Sequence, residues 1–236
     1  MLKVDDEIGM ALDGPQVDKL LVECQRSCSR GLFPAVVIAL STAMRAGEIR
    51  TLRWKQIDFR LKALHVGMSK TRSGKGRVIP LNQLAMSVLG KYAADFRDRR
   101  PEHCIFPTER CAGQDSQGRL QYYDQNLIKP IGSWKKAWNA VRSRSGIHCR
   151  FHDLRHTAVT QMLRKGNTIA QIATVAGWSA STTILMIKKY GHLEGGMKKA
   201  VAALNWKRFP RNSPVALRRR LRSGKWSSNN QKEAKN

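Results

Sequence analysis

Apolar positions recur three and four residues apart along most of the chain. Val17, Leu20, Leu21 and Cys24 mark one helical face, and Pro15 stands where it can open that helix. A second helix is predicted from Phe33 to about Met44, where Val36, Val37, Leu40, Ala43 and Met44 keep helical spacing. Gly47 interrupts, and Ile49 and Leu52 in EIRTLRW predict a short helix. The period then changes to two. In ALHVGM, Leu64, Val66 and Met68 alternate with His65 and Gly67, and GRVIPL returns after SKTRSGKG. These segments read as an antiparallel hairpin with a long cationic tip. LNQLAMSVLGKYAADFRDRR predicts a long helix capped by Asn82. Residues 107–130 are polar, contain Gly and Pro and show no clear period, so a loop or insertion is expected. Helical patterns return in SWKKAWNAVRSRSG, closed by Gly146, in DLRHTAVTQMLRKG, closed by Gly166, and in TIAQIATVAGW, capped by Thr168. Two more helices are expected, from Ser181 to about Lys189 and from Glu194 to Leu204. The pattern is that of an α+β, mainly α-helical fold.

Charge changes the picture. The 236 residues carry 43 Lys plus Arg against 17 Asp plus Glu, a formal net charge of +26. Such an excess predicts a polyanionic partner, nucleic acid before anionic membrane. From Lys207 on, the chain holds ten basic residues and one acid among Ser, Asn and Gln, and this tail is expected to be disordered until it meets an anion or a neighbour. Removing those nine net charges leaves +17 on residues 1–206, which therefore form a basic domain in their own right. The N-terminus has no apolar run fit for a signal peptide. The longest apolar stretch, Leu32 to Met44, falls short of the roughly 20 residues a membrane span needs. A cytoplasmic, nucleoid-associated protein is expected. Cys24, Cys28, Cys104, Cys111 and Cys149 are odd in number and form no CxxC pair, which suits free thiols in a reducing compartment.

The candidate chemistry is spread over four segments. His152 and Arg155 lie three apart in FHDLRHTAVT, so imidazole and guanidinium can face one object. The guanidinium fork suits two phosphate oxygens, and the imidazole exchanges a proton near neutral pH. Taken alone, HxxR is a basic surface turn. The same stretch also resembles the HExxH zinc helix. Against a metal, Asp153 is shorter than Glu, Arg155 puts a fixed cation beside the dication, and only His192 follows as a third ligand. Arg45 ends an apolar helix, where burial is costly without an anionic partner; Glu48 can orient it, or the two form an ordinary surface pair. Lys70 begins the hairpin tip that also holds Arg72, Lys75 and Arg77, cations suited to phosphate or minor-groove contact. One lysine there can approach a leaving oxygen as an acid, and spacing leaves Lys70 and Lys75 both open. Tyr190 is the only tyrosine after Tyr123. With a pKa of about 10 it needs nearby cations or a base to act as nucleophile; otherwise it is a packing residue.

In order, TAMRAGEIRTLRWKQIDF, SKTRSGKGRVIPL, FHDLRHTAVTQML and AGWSASTTILMIKKYGHL resemble the catalytic domain of the tyrosine recombinases, the phage-integrase family, from about Leu12 to Leu193. The resemblance implies a helical catalytic domain with a small three-stranded antiparallel sheet. It implies DNA recombination or integration by strand cleavage through a 3′-phosphotyrosine, needing neither metal nor cofactor. Arg45 and Arg155 would clamp the scissile phosphate, and Lys70 would protonate the departing 5′ oxygen. His152 would exchange protons, Trp178 would pack beside the phosphate and Tyr190 would attack, with Glu48 and His156 supporting. The partners implied are double-stranded DNA and three further copies, a homotetramer on two sites. The family's N-terminal core-binding domain is expected to be absent, because barely a dozen residues precede the first helix. A non-catalytic DNA-binding remnant is the alternative, and a type IB topoisomerase a third reading. The stretch between Trp178 and Tyr190 is longer than usual in the family by about one turn. In a loop the extra residues leave Tyr190 at the phosphate; in a helix they move its hydroxyl by roughly 5 Å.

Overall fold

The structure is a computed structural model. It describes residues 10–118 and 120–190, without the side chains of Gln114, Leu120 and residues 187–190. The expected helix from Glu194 to Leu204 and the basic segment 207–236 lie outside the described residues.

Helix α1 (Gly14–Gln25) starts at a reciprocal capping box. Asp13 Oδ1 accepts from Gln16 N at 2.8 Å, and Gln16 Oε1 accepts from Asp13 N at 3.0 Å. Its stripe Val17, Leu20, Leu21 and Cys24 is buried as the spacing requires. Helix α2 (Leu32–Thr42) is buried at every position but Phe33, not on one face alone. It is enclosed because α1, the short α3 (Ala46–Arg50), α4 (Gln83–Ala93) and α6 (Asp153–Arg164) all pack on it. It ends at Ala43, whose φ of 53° is left-handed.

Strands β1 (Ile57–Asp58), β2 (Ala63–His65) and β3 (Val78–Pro80) form a three-stranded antiparallel sheet. Leu64 lies opposite Ile57 on one side and Ile79 on the other. Asn82 caps α4, its Oδ1 accepting from Ala85 N at 2.8 Å. This helix stops at Ala93, shorter than its pattern predicts. Arg99 folds back to donate to Ala93 O at 3.2 Å, and Phe96 meets Tyr92 edge-on at 5.1 Å.

Residues 107–130, expected as a loop, are instead an antiparallel hairpin of β4 (Pro107–Gln114) and β5 (Leu120–Pro130). Three register shifts break its alternation, which is why no period of two shows in the sequence. Its turn follows from Asp115, whose Oδ1 accepts from Gln117 N at 2.9 Å, and from Gly118 at φ 70°. Arg30 fastens the hairpin to the helices. It bonds Glu109 at 2.6 Å and lies over the rings of Phe96 and Tyr122, 4.4 Å from each centroid.

Helices α5 (Lys135–Ser145), α7 (Ile169–Ala176) and α8 (Ala180–Tyr190) complete the described fold. Gly146 and Gly166 take positive φ after α5 and α6. A line of ring contacts runs from Trp54 through Tyr92, Phe106, Trp134 and Phe151 to Trp138. Phe151, which directly precedes His152 in the chain, links this line to the start of α6. The fold is α+β and mainly helical, and no described helix is long and apolar enough to cross a membrane.

Candidate active site

His152 is the N-cap of α6, and Asp153 in the first turn is buried. Asp153 accepts from the backbone N of Arg150 at 2.7 Å and from its guanidinium at 3.1 Å. The carboxylate that a zinc helix would use as base is therefore bound to arginine. Arg155, one turn on, is 5% exposed. Its Nη1 donates to Ala43 O at 2.6 Å. Burial lowers its pKa to about 9, with the positive charge of Arg45 adding to the effect. It stays protonated at neutral pH, but the site lowers the affinity for that proton and so favours an anion.

Arg45 stands at the start of α3 and meets Glu48 as expected. Its backbone N donates to Glu48 Oε2 at 2.9 Å and its Nη1 to Oε1 at 3.2 Å. Glu48 does more than orient Arg45. It is 4% exposed and also accepts from Ser69 Oγ at 2.6 Å and from Arg77 Nη2 at 2.7 Å. Burial alone would push its pKa up. The bonds from Arg77, Ser69 and the Arg45 backbone outweigh that and hold it at about 2.

Arg77 corrects the sequence reading. Its place in the tip predicts a DNA-contacting cation, yet it is 9% exposed and faces inward. Besides Glu48 it donates to Val175 O at 2.9 Å and Gly74 O at 2.5 Å. A signal is present in the strand: Arg77, Ile79 and Leu81 share one phase of the alternation, and all three are buried. Lys70, Arg72 and Lys75 remain exposed on the tip.

A cavity of about 160 Å³ is lined by Arg45, His152, Arg155, His156, Val159, Trp178, Thr182 and Met186. The structure thus brings together four of the expected catalytic residues, Arg45, His152, Arg155 and Trp178, with His156 beside them. Lys70 is not among the lining residues, and none of these is acidic. His152 keeps one side open to solvent. Partial enclosure lowers its pKa, as do Arg155, Arg150 and Arg45, while Asp153 opposes them. It is therefore a neutral base at pH 7. Its ring meets that of His156 edge-on at 5.2 Å. Among the described residues no three His, Cys, Asp or Glu side chains gather as a metal site.

The chain is helical without interruption from Ala180 to Tyr190, so the stretch before Tyr190 lies in α8 and not in a loop. The Tyr190 side chain lies outside the described residues. Its position follows Thr182 and Met186 at steps of four, and both of these line the cavity. Such steps drift by only about 40° around a helix of 3.6 residues per turn. Sequence reasoning misses Thr182, Met186, Ser69 and the Ala43 carbonyl. The stripe on α8 is legible in the spacing; the carbonyl is not.

Residues 11–195 match the Phage integrase family. The integrase of Salmonella phage P22 is 30% identical over 183 residues, 77% of this chain and 43% of that protein. The shufflon-specific DNA recombinase of Escherichia coli is 29% identical over 164 residues, 69% of this chain and 35% of that one. The chain spans less than half the length of either relative. The catalytic domain of bacteriophage HP1 integrase has a similar fold, with a TM-score of 0.54 at 19% identity over 84% of this chain and 96% of that one. The Tn1549 transposon integrase in complex with transposon right end DNA gives 0.60 at 18% identity over 86% and 67%. With the match running through every segment that lines the cavity, the chain belongs to the phage integrase family.

Proposed function

We propose that the chain is a site-specific DNA recombinase that cuts and rejoins strands through a 3′-phosphotyrosine. The observation that carries this reading is the convergence of Arg45, Arg155, His152 and Trp178 on one cavity without a lining acid. Among the described residues Glu48 is the carboxylate bonded to Arg45, and it is shared with Arg77, so cations outnumber it. A backbone phosphodiester supplies the missing anion.

In the proposed reaction the Tyr190 oxygen attacks phosphorus and its proton passes to His152. The bond to the 5′ oxygen breaks as that oxygen takes a proton from Lys70. Rejoining runs the same transfers in reverse, so the energy of the phosphodiester is kept in the protein–DNA bond. Arg45 and Arg155 hold the non-bridging oxygens, where charge grows in the transition state. Trp178 covers the phosphate, and Glu48 and His156 hold their neighbours. Arg72 and Lys75 on the tip contact DNA. Exchange between two duplexes needs four cuts, hence a homotetramer acting on DNA at the nucleoid.

The test is a nicked duplex that traps the covalent product. A protein–DNA adduct that persists in EDTA and is lost in Tyr190→Phe supports the reading. Binding without an adduct leaves the non-catalytic remnant, a reading the uninterrupted α8 favours because it carries Tyr190 a full turn beyond Met186.

A further inference from the structure

Three parts of the proposed site meet at one buried side chain. Arg77 donates to Glu48, which in turn holds Arg45 and Ser69, the neighbour of Lys70. It donates to Gly74 O in the tip and to Val175 O, three residues before Trp178. The tip is seated against the turn between α7 and α8: Thr71 Oγ1 donates to Gly177 O at 3.2 Å. The seam admits no side chain at Gly177. A Cβ there would stand 2.7 Å from Gly74 Cα and 2.8 Å from Arg77 Nη1, and φ is +65°.

We propose that Arg77 is a positioning residue that seats the β2–β3 tip on the Gly177 turn and thereby sets Lys70 for protonation of the leaving oxygen. Lys70 is exposed on a tip of about ten residues, and such a segment is not oriented by its own packing. The buried Arg77 bonds on both flanks, at Gly74 and through Glu48 at Ser69, are what orient it. Lysine in place of Arg77 keeps the charge against Glu48 but cannot reach Glu48, Gly74 and Val175 together, because it lacks the planar fork.

The positioning role rests on the leaving-group role proposed for Lys70, and the test separates the two. Single-turnover cleavage by the full chain is compared on ordinary DNA and on DNA whose scissile 5′ oxygen is replaced by sulfur. A thiol, with a pKa on the order of 8.5, leaves without a proton donor. Arg77→Lys is expected to slow cleavage of ordinary DNA by about 10²-fold, the lower end of an acid–base contribution, and to regain near-normal rates on the sulfur substrate. Gly177→Ala, which disturbs the seam without removing a charge, is expected to behave alike and serves if Arg77→Lys fails to fold. Arg45→Lys is expected to stay slow on both substrates. If Lys70→Ala is rescued by sulfur while Arg77→Lys and Gly177→Ala are not, the positioning role is overturned and the leaving-group role stands. If Lys70→Ala itself is not rescued, both fall.

Discussion

Arg155 donates to the carbonyl oxygen of Ala43 at 2.6 Å, and Ala43 holds a left-handed backbone at φ 53°. The two facts are linked. Ending α2 with this twist turns a helix-terminal carbonyl toward α6, where it meets a buried guanidinium. A non-glycine residue in this region costs about 1–2 kcal/mol, and the bond to Arg155 offsets part of it.

Arg155→Lys is expected to keep the charge and lose the fork. Adduct formation should fall by about 10²–10³-fold, the loss typical of one transition-state donor. Trapping on the nicked duplex measures it.

At Ala43 the twist and the burial set opposite limits. Ala43→Gly relieves the left-handed backbone and should change stability by less than about 1 kcal/mol. Ala43→Val adds bulk to a site with 0% exposure and should cost about 2–4 kcal/mol from overpacking and strain combined. Urea unfolding distinguishes them through the midpoint at constant slope.

Glu48 makes stability depend on acid. Its folded pKa of about 2 lies below the ordinary 4.5. Its contribution is therefore complete above pH 4.5 and is lost as pH falls toward 2. The shift corresponds to about 3 kcal/mol. Glu48→Gln also strands the Arg77 charge, so its deficit at pH 7 should be about 3–5 kcal/mol. The gap between the two proteins should narrow between pH 4.5 and 2; a gap independent of pH would show that Glu48 is not the ionised partner.

In the proposed reaction His152 is expected to set the acid limb of the rate. Its pKa is lowered from 6.5, and the neutral form is the one able to take a proton. The rate of adduct formation at low DNA concentration should rise as pH climbs through a value below 6.5 and be level by neutrality. His152→Gln should remove that limb.

Deleting residues 207–236 should flatten the dependence of DNA affinity on salt. Each phosphate that the tail no longer neutralises lowers the log–log slope by about 0.9. An unchanged slope places the tail off the DNA.

What the sequence determined by itself is local. Asn82 and Thr168 announced their helices, since a cap is a bond between near neighbours. Leu64 and Val66 announced the hairpin of β2 and β3, because a buried face imposes a period of two. The four motifs, in order, announced the family. Tertiary structure decided what depends on partners far along the chain. Arg77 reads as one more cation of a basic loop until Glu48 and Val175, 29 and 98 residues away, close around it. The β4–β5 hairpin was hidden because its bulges erase the alternation and its anchor, Arg30, lies 79 residues before Glu109. Burial turns such side chains inward only when the distant groups that neutralise them arrive in the same place, and no window along the sequence contains both.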